Sequence, residues 1–166
     1  MKKILLILAL TLSLNAWENG KIVTVIDGDT MMLKKQNGKV VKVRLVGLDT
    51  FETKMNHRVF KQLETLKNIH PREKHTVSDV LRLGWDAHRF VKKRVLGKKV
   101  QYHSYKLDIY DRELVYLKDI NFLLIRNGLA VQYPNNLLHP KRKAFLLEAS
   151  KQAHLERRGI YARGGK

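Results

Sequence analysis

The sequence predicts a mainly β domain with added helices: a five-stranded barrel of the OB type carrying about three helices. Three observations predict it. Three β-rich runs follow one another closely, and the last two flank an Asn-Gly turn at Asn37-Gly38. A long helical pattern comes next. Two further short strands then precede two more helices, and a helix inserted between the third and fourth of five short antiparallel strands is the order of such a barrel.

In chain order, Lys21-Ile-Val-Thr-Val-Ile-Asp27 is dominated by β-branched residues and ends at Gly28, which permits a sharp turn. Thr30–Lys35 runs on to Gln36-Asn37-Gly38, and Lys39–Val46 alternates apolar and basic positions, so the three form an antiparallel meander. From Thr53 to Val77 the pattern loosens. A short helix is expected at Val59–Ile69, with the remainder of about 54–77 an extended, exposed loop. Ser78-Asp79 is the expected cap of a helix through Leu81, Trp85, Phe90, Val91 and Val95, which Gly97 ends. Lys99–Tyr105 and Leu114–Lys118 read as strands joined by a turn at Asp108–Arg112. Asn121 is the expected cap of a short helix Phe122–Arg126 closed by Gly128, and a basic helix covers about Pro140–Arg157. There is no internal repeat, low-complexity tract or interdomain linker, so residues 17–166 read as one domain.

Composition bounds the chemistry. With 33 Lys and Arg against 15 Asp and Glu the chain carries a formal +18, yet 44% of its residues are hydrophobic and only 3 are Pro. That is a chain with a core, not a disordered basic tail. Zero Cys excludes a disulfide framework, a thiolate metal site and a cysteine nucleophile. Catalysis must run on carboxylates, bases, hydroxyls or a hard metal. The charge implies a polyanionic partner, whether nucleic acid, anionic lipid or acidic polysaccharide, and does not choose among them. Lys2 and Lys3 before the apolar run Ile4–Leu14, then Asn15-Ala16, have the form of a signal peptide at residues 1–16. The run is about half the roughly 20 residues of a membrane-spanning helix. The protein is therefore expected to be secreted or periplasmic, or membrane-tethered if the leader is retained, with no membrane span in the mature chain.

The distribution of acids is more informative than their number. Between Asn19 and Leu63 there are only Asp27, Asp29, Asp49 and Glu52, in the clusters Asp27-Gly-Asp-Thr30 and Asp49-Thr-Phe-Glu52. In a meander the end of the first strand, the start of the second and the end of the third share one edge of the sheet. Asp29 and Asp49 are thus candidates to converge on a divalent cation with oxygen ligands. Either cluster alone reads as readily as turn chemistry. Arg44 lies five residues before Asp49, so the two point to opposite faces unless the chain bends at Gly47. Arg112, after Asp108-Ile-Tyr-Asp111, supplies a second guanidinium. Two arginines, a metal and a nearby Glu are what phosphodiester hydrolysis requires: cations for the phosphoryl oxygens, a carboxylate for the water.

At these residues the chain resembles the staphylococcal nuclease (thermonuclease) family. The likeness rests on Val25-Ile-Asp-Gly-Asp-Thr30, on Arg44 followed by Asp49-Thr-Phe-Glu-Thr53, and on Asp108-Ile-Tyr-Asp-Arg112. Leu114-Val-Tyr116, Asn121 and Arg126-Asn-Gly-Leu-Ala130 match in the same order, so it spans roughly residues 20–160. The resemblance implies a calcium-dependent endonuclease of DNA and RNA on an OB-type barrel, leaving 3′-phosphate ends; separately, a monomer without a stable protein partner is expected. Carried over by position, Asp29, Asp49 and the Thr50 carbonyl would bind Ca2+, with Asp27 behind them. Arg44 would bind phosphate, Glu52 would act on the attacking water, and Arg112 would stabilise the transition state. Tyr110 and, by a looser match, Tyr133 would contact the substrate.

Three departures stand out. Phe51 replaces the family's usual proline, which is expected to loosen that turn. Asp111 replaces a glycine and is a candidate either to pair with Arg112, weakening the anion site, or to support the site from behind. The segment after Glu52 is roughly twenty residues longer than in the type protein; its Lys54, Arg58, Lys61, Lys67, Arg72 and Lys74 either grip the substrate strand or decorate a solvated loop. Two other readings compete with the nuclease. Nuclease-like repeats that have lost their catalytic set bind nucleic acid without cutting it, but all five key side chains are present here. A cationic binder of polysaccharide or lipid accounts for the charge and not for the acidic clusters.

Overall fold

The computed structural model describes residues 17–133 and 135–162; the leader expected at residues 1–16 lies outside them. Strands β1 (Glu18–Val25), β2 (Thr30–Lys35), β3 (Val40–Leu45), β5 (Lys99–Leu107) and β6 (Glu113–Leu117) close a barrel in the order β1-β2-β3-β6-β5. The meander is as expected, with Thr30 opposite Arg44 and Gly38 in the left-handed region at its turn. One pair departs from the all-antiparallel expectation. β3 and β6 run parallel, Val43 opposite Glu113, because the chain crosses the barrel by way of a helix before β5 and β6 enter.

The barrel encloses Ile22, Met31, Leu33, Val43, Tyr102 and Val115, all essentially without solvent contact. Helix α2 (Val77–Val95) covers it with Ala87, Val91 and Val95. Helices α3 (Ile120–Arg126) and α4 (Pro140–Leu155) add Leu124, Ile125, Leu146 and Ala149 to the same core. α2 starts two residues earlier than expected. Thr76, not Ser78, is its cap, and its hydroxyl and the Asp79 carboxylate complete a reciprocal capping box. Asn121 is likewise not a cap. It is buried in the first turn of α3, where its carbonyl accepts from Leu117 N–H (2.9 Å) and its amide donates to the Val46 carbonyl (2.8 Å). A buried polar side chain needs such partners, and here it ties β6 to the end of β3.

The segment 54–77 is not chiefly loop. Helix α1 (His57–Ile69) occupies most of it, capped by Asn56, whose side-chain oxygen accepts from Arg58 N–H (2.8 Å). Val59 and Leu66 pack with Phe51, Val80, Leu83 and Ile160 in a second apolar cluster beside the barrel. Phe51 is 2% exposed. The residue expected to loosen a turn instead anchors α1, since burying an aromatic ring contributes about 1.5–3 kcal/mol. Among the described residues no helix is long and apolar enough to cross a membrane.

Candidate active site

The site grows from the edge where β1 ends, β2 begins and β3 ends. The Leu45 N–H donates to the Asp29 carbonyl (2.9 Å), which brings the Asp27–Thr30 turn against the end of β3. Beyond Leu45 the chain turns sharply at Gly47 (φ +78°), a conformation that favours glycine. A side chain there would also strike Leu138, its Cβ falling 2.4 Å from that residue's Cδ1. Leu48 and Asp49 then form the short strand β4, paired with β7 (Val131–Gln132). This bend answers the phase problem: it carries Asp49 back to the face that Arg44 occupies.

Arg44 joins the two acidic clusters. Its Nη1 donates to Asp29 Oδ1 (2.6 Å) and its Nη2 to Asp49 Oδ1 (2.5 Å). Burial works against the guanidinium's charge, but Asp29 and Asp49 outweigh it and hold the arginine more firmly protonated than usual. Asp29 is buried, and its Oδ2 accepts the Thr50 N–H (3.0 Å). Asp27 stands behind, its Oδ1 accepting from Asp29 N–H (3.1 Å). Burial pushes the Asp27 carboxyl up to about 7, and the neighbouring Asp29 carboxylate adds to the rise.

Helix α1 completes this cluster with two residues that sequence reasoning did not place there. Arg58 donates through Nη2 to Asp49 Oδ1 (2.5 Å) and through Nη1 to Glu52 Oε1 (2.8 Å). Gln62 is 6% exposed, and its amide spans the loop: Oε1 accepts from Glu52 N–H (2.8 Å) and Nε2 donates to the Thr50 carbonyl (3.0 Å) and Asp49 Oδ2 (3.3 Å). The signal was there to read. A glutamine interrupts the apolar stripe Val59, Leu63, Leu66 at helical spacing, and a polar residue on a buried face needs a partner. Asn56 Nδ2 donates to Glu52 Oε2 (2.8 Å), so both oxygens of the expected base are held.

Helix α2 presses the two loops together. At Gly84 a Cβ would lie 2.1 Å from the Glu52 carbonyl oxygen, and at Gly28 one would lie 2.8 Å from both Ala87 Cβ and Thr50 Cγ2. Small residues at these contacts let backbone ride directly on the helix.

Arg112 stands apart from the carboxylates and lines the same cleft, of about 440 Å3, as Arg44, Asp49 and Arg58. Its Nε and Nη2 donate to Asp108 Oδ2 (2.8 and 2.7 Å). Burial favours the neutral form of Asp108, yet the hydrogen bonds from Arg112 and Tyr110 N–H win and hold it below the usual carboxylate range. Asp111 does not pair with Arg112 in this structure. It occupies the left-handed region (φ +56°) at the tip of the turn, a conformation that explains why glycine suits this position. Tyr110 and Tyr133 line the cleft and are largely exposed.

Among the described residues no group of three or more acidic or histidine side chains gathers to hold a metal. A cation here would depend on two carboxylates together with backbone or water oxygen. Gln62 Nε2 reaches both Asp49 Oδ2 and the Thr50 carbonyl, so those two oxygens converge on one point, and Asp29 is bound to the same loop through Thr50 N–H. The donor chemistry, all oxygen, is that of a hard divalent ion, and in this structure these oxygens accept from the Gln62 amide, the Thr50 N–H and the Arg44 and Arg58 guanidiniums.

A closed OB-type barrel with carboxylates and arginines gathered at one edge, facing a cationic cleft, is the arrangement that the sequence resemblance implies. A family model described as Staphylococcal nuclease homologue matches residues 42–163, and the chain belongs to that family. Comparison with curated proteins finds no match.

Proposed function

We propose that this protein is a calcium-dependent endonuclease that hydrolyses phosphodiester bonds of DNA and RNA with little sequence specificity and leaves 3′-phosphate ends. The observation that carries the reading is the interlocked set Asp29, Arg44, Asp49 and Thr50, with Glu52 two residues on and Arg112 across the cleft. In this reading Asp29, Asp49 and the Thr50 carbonyl hold Ca2+, which supplies positive charge to the phosphoryl oxygens when bound.

The chain's own residues do the rest. Arg44, kept charged and fixed by two carboxylates, receives a non-bridging phosphate oxygen. Glu52 takes the proton from a water attacking phosphorus in line. Arg112, aimed by Asp108, meets the charge building on the departing 5′-oxygen as its bond to phosphorus breaks. Tyr110 and Tyr133 flank the strand. Nothing in this set reads a base edge, in keeping with low sequence specificity. The leader at 1–16 supports export, to the periplasm or outside the cell, and the protein acts as a monomer.

The test is incubation of the mature protein with single-stranded DNA in calcium, with and without chelator, beside Glu52→Ala and Arg112→Ala. Cutting is expected only without chelator. Each substitution should lower it by about 10²–10³-fold, the loss of about 3–4 kcal/mol seen when one transition-state stabiliser is removed. Retention of DNA without cutting would make the protein a binding module instead. Cutting that both variants keep would move the active centre elsewhere.

A further inference from the structure

Helix α1 is amphipathic in an unusual way: one face anchors it and another faces the cleft. Val59 and Leu66 are buried in the second apolar cluster. Arg58, Lys61, Gln62 and Thr65, spaced at helical intervals of three, four and seven, all line the cleft that Arg112, Tyr110 and Tyr133 also line. The two cleft-facing cations differ from the helix's other basic residues. Lys67 is paired with Glu64 (2.6 Å) and lies outside the cleft lining.

The two arginines at the carboxylates also differ from each other. Arg44 is 15% exposed and is clamped from the inner side by Asp29 and Asp49. Arg58 is 38% exposed and shares Asp49 Oδ1 with Arg44, so a single carboxylate oxygen serves two guanidiniums. A phosphate entering the cleft meets Arg58 at its outer edge. A planar guanidinium held by two partners can exchange one of them for a phosphate oxygen without losing its position.

We infer that α1 is the second wall of the nucleic-acid channel, with Arg58 and Lys61 its phosphate contacts, and that the strand runs between this helix and the β5–β6 turn. The inference rests on the nuclease reading for its substrate class and gives the added helix a role in that site. It also divides the basic residues of 54–77, assigning grip to Arg58 and Lys61 and leaving Lys67 to solvent.

The experiment measures binding of fluorescein-labelled single-stranded DNA by anisotropy, in chelator so that nothing is cut, over a range of salt concentrations. Arg58→Gln and Lys61→Gln should each flatten the plot of log affinity against log salt by about 0.7, one released counterion per lost contact on a single strand. Over a fourfold rise in salt each variant then loses about 2.6-fold less affinity than the parent. Arg58→Lys should restore the parental slope, and Lys67→Gln should leave it unchanged. A purely structural Arg58, serving only to neutralise Asp49 and Glu52, would move the melting temperature and leave the slope alone. That result, or equal flattening by Lys67→Gln, overturns the inference. Cutting by the parent protein in calcium decides the nuclease reading separately: a slope change with no cutting keeps the wall and discards the enzyme, and cutting with no slope change does the reverse.

Discussion

Adding one methyl group at position 84 sets two effects of opposite sign against each other. Gly84 lies inside α2, where alanine is favoured over glycine by about 1 kcal/mol. Its Cβ would sit 2.1 Å from the Glu52 carbonyl oxygen and 2.5 Å from the carbonyl carbon, and backbone cannot swing aside as a flexible side chain does. Overpacking of this kind costs about 1–3 kcal/mol, so the clash wins. Gly84→Ala is expected to lower the melting temperature rather than raise it. The strain falls on the residue carrying the expected base, so cutting should drop by more than tenfold in the fraction that stays folded. A higher melting temperature with full activity would contradict the contact. At this scale the sequence was partly legible. Asp29, Asp49 and Glu52 could be named because acids are scarce in that stretch, and Arg44 because it lies five residues before the second acidic cluster. Gln62 was legible only as a polar residue on an apolar stripe that needs a partner; its partners are a backbone N–H, a carbonyl and a carboxylate that only the folded loop assembles.

Among the elements, α2 is the platform on which both acidic loops rest, and its start is set by charge as well as by shape. The Thr76 N–H donates to Asp79 Oδ2 (2.8 Å), and that hydrogen bond is the chief cause that holds the Asp79 carboxyl below its ordinary 3.8. A carboxyl depressed on folding contributes stability that is present above its unfolded value and is lost as pH falls through its folded one. Asp79→Ala should therefore cost about 1 kcal/mol near neutral pH, as loss of a cap does. The difference should shrink as pH falls below 3.8 and on through the lowered folded value, where the Asp79 carboxyl is protonated in both states. Urea denaturation across that pH range checks it, and a deficit that persists in acid would assign the cost to packing. Element order and strand bounds were readable because period-two alternation and the Asn-Gly turn are local signals. α1 was only half readable. A short helix at Val59–Ile69 was expected, but what makes it more than an excursion is Phe51, eight residues before Val59, whose burial depends on α2 and Ile160 arriving from elsewhere in the chain.

The molecule as a whole carries 33 basic residues against 15 acidic ones, so 18 cations would remain without an acidic partner even if each acid took one. Pairing is less even than that. Arg44 takes both Asp29 and Asp49, and Arg58 takes both Asp49 and Glu52, so three carboxylates are gathered on two arginines and more cations are left without an acid elsewhere. Two consequences of this charge have opposite signs in salt. Repulsion among like charges opposes folding, and its range shortens from about 10 Å at 0.1 M to about 3 Å at 1 M ionic strength. The same screening weakens surface ion pairs, but each of those is worth only about 0–1 kcal/mol and they are outnumbered by the unpaired cations. Melting temperature is therefore expected to rise as sodium chloride is added in the presence of chelator. Affinity for single-stranded DNA must fall over the same range, because each phosphate contact releases a counterion that salt pushes back. Thermal denaturation and anisotropy on one salt series measure both. A melting temperature that falls in step with affinity would mean that paired charges hold this fold, and that its positive surface is no burden on the folded state.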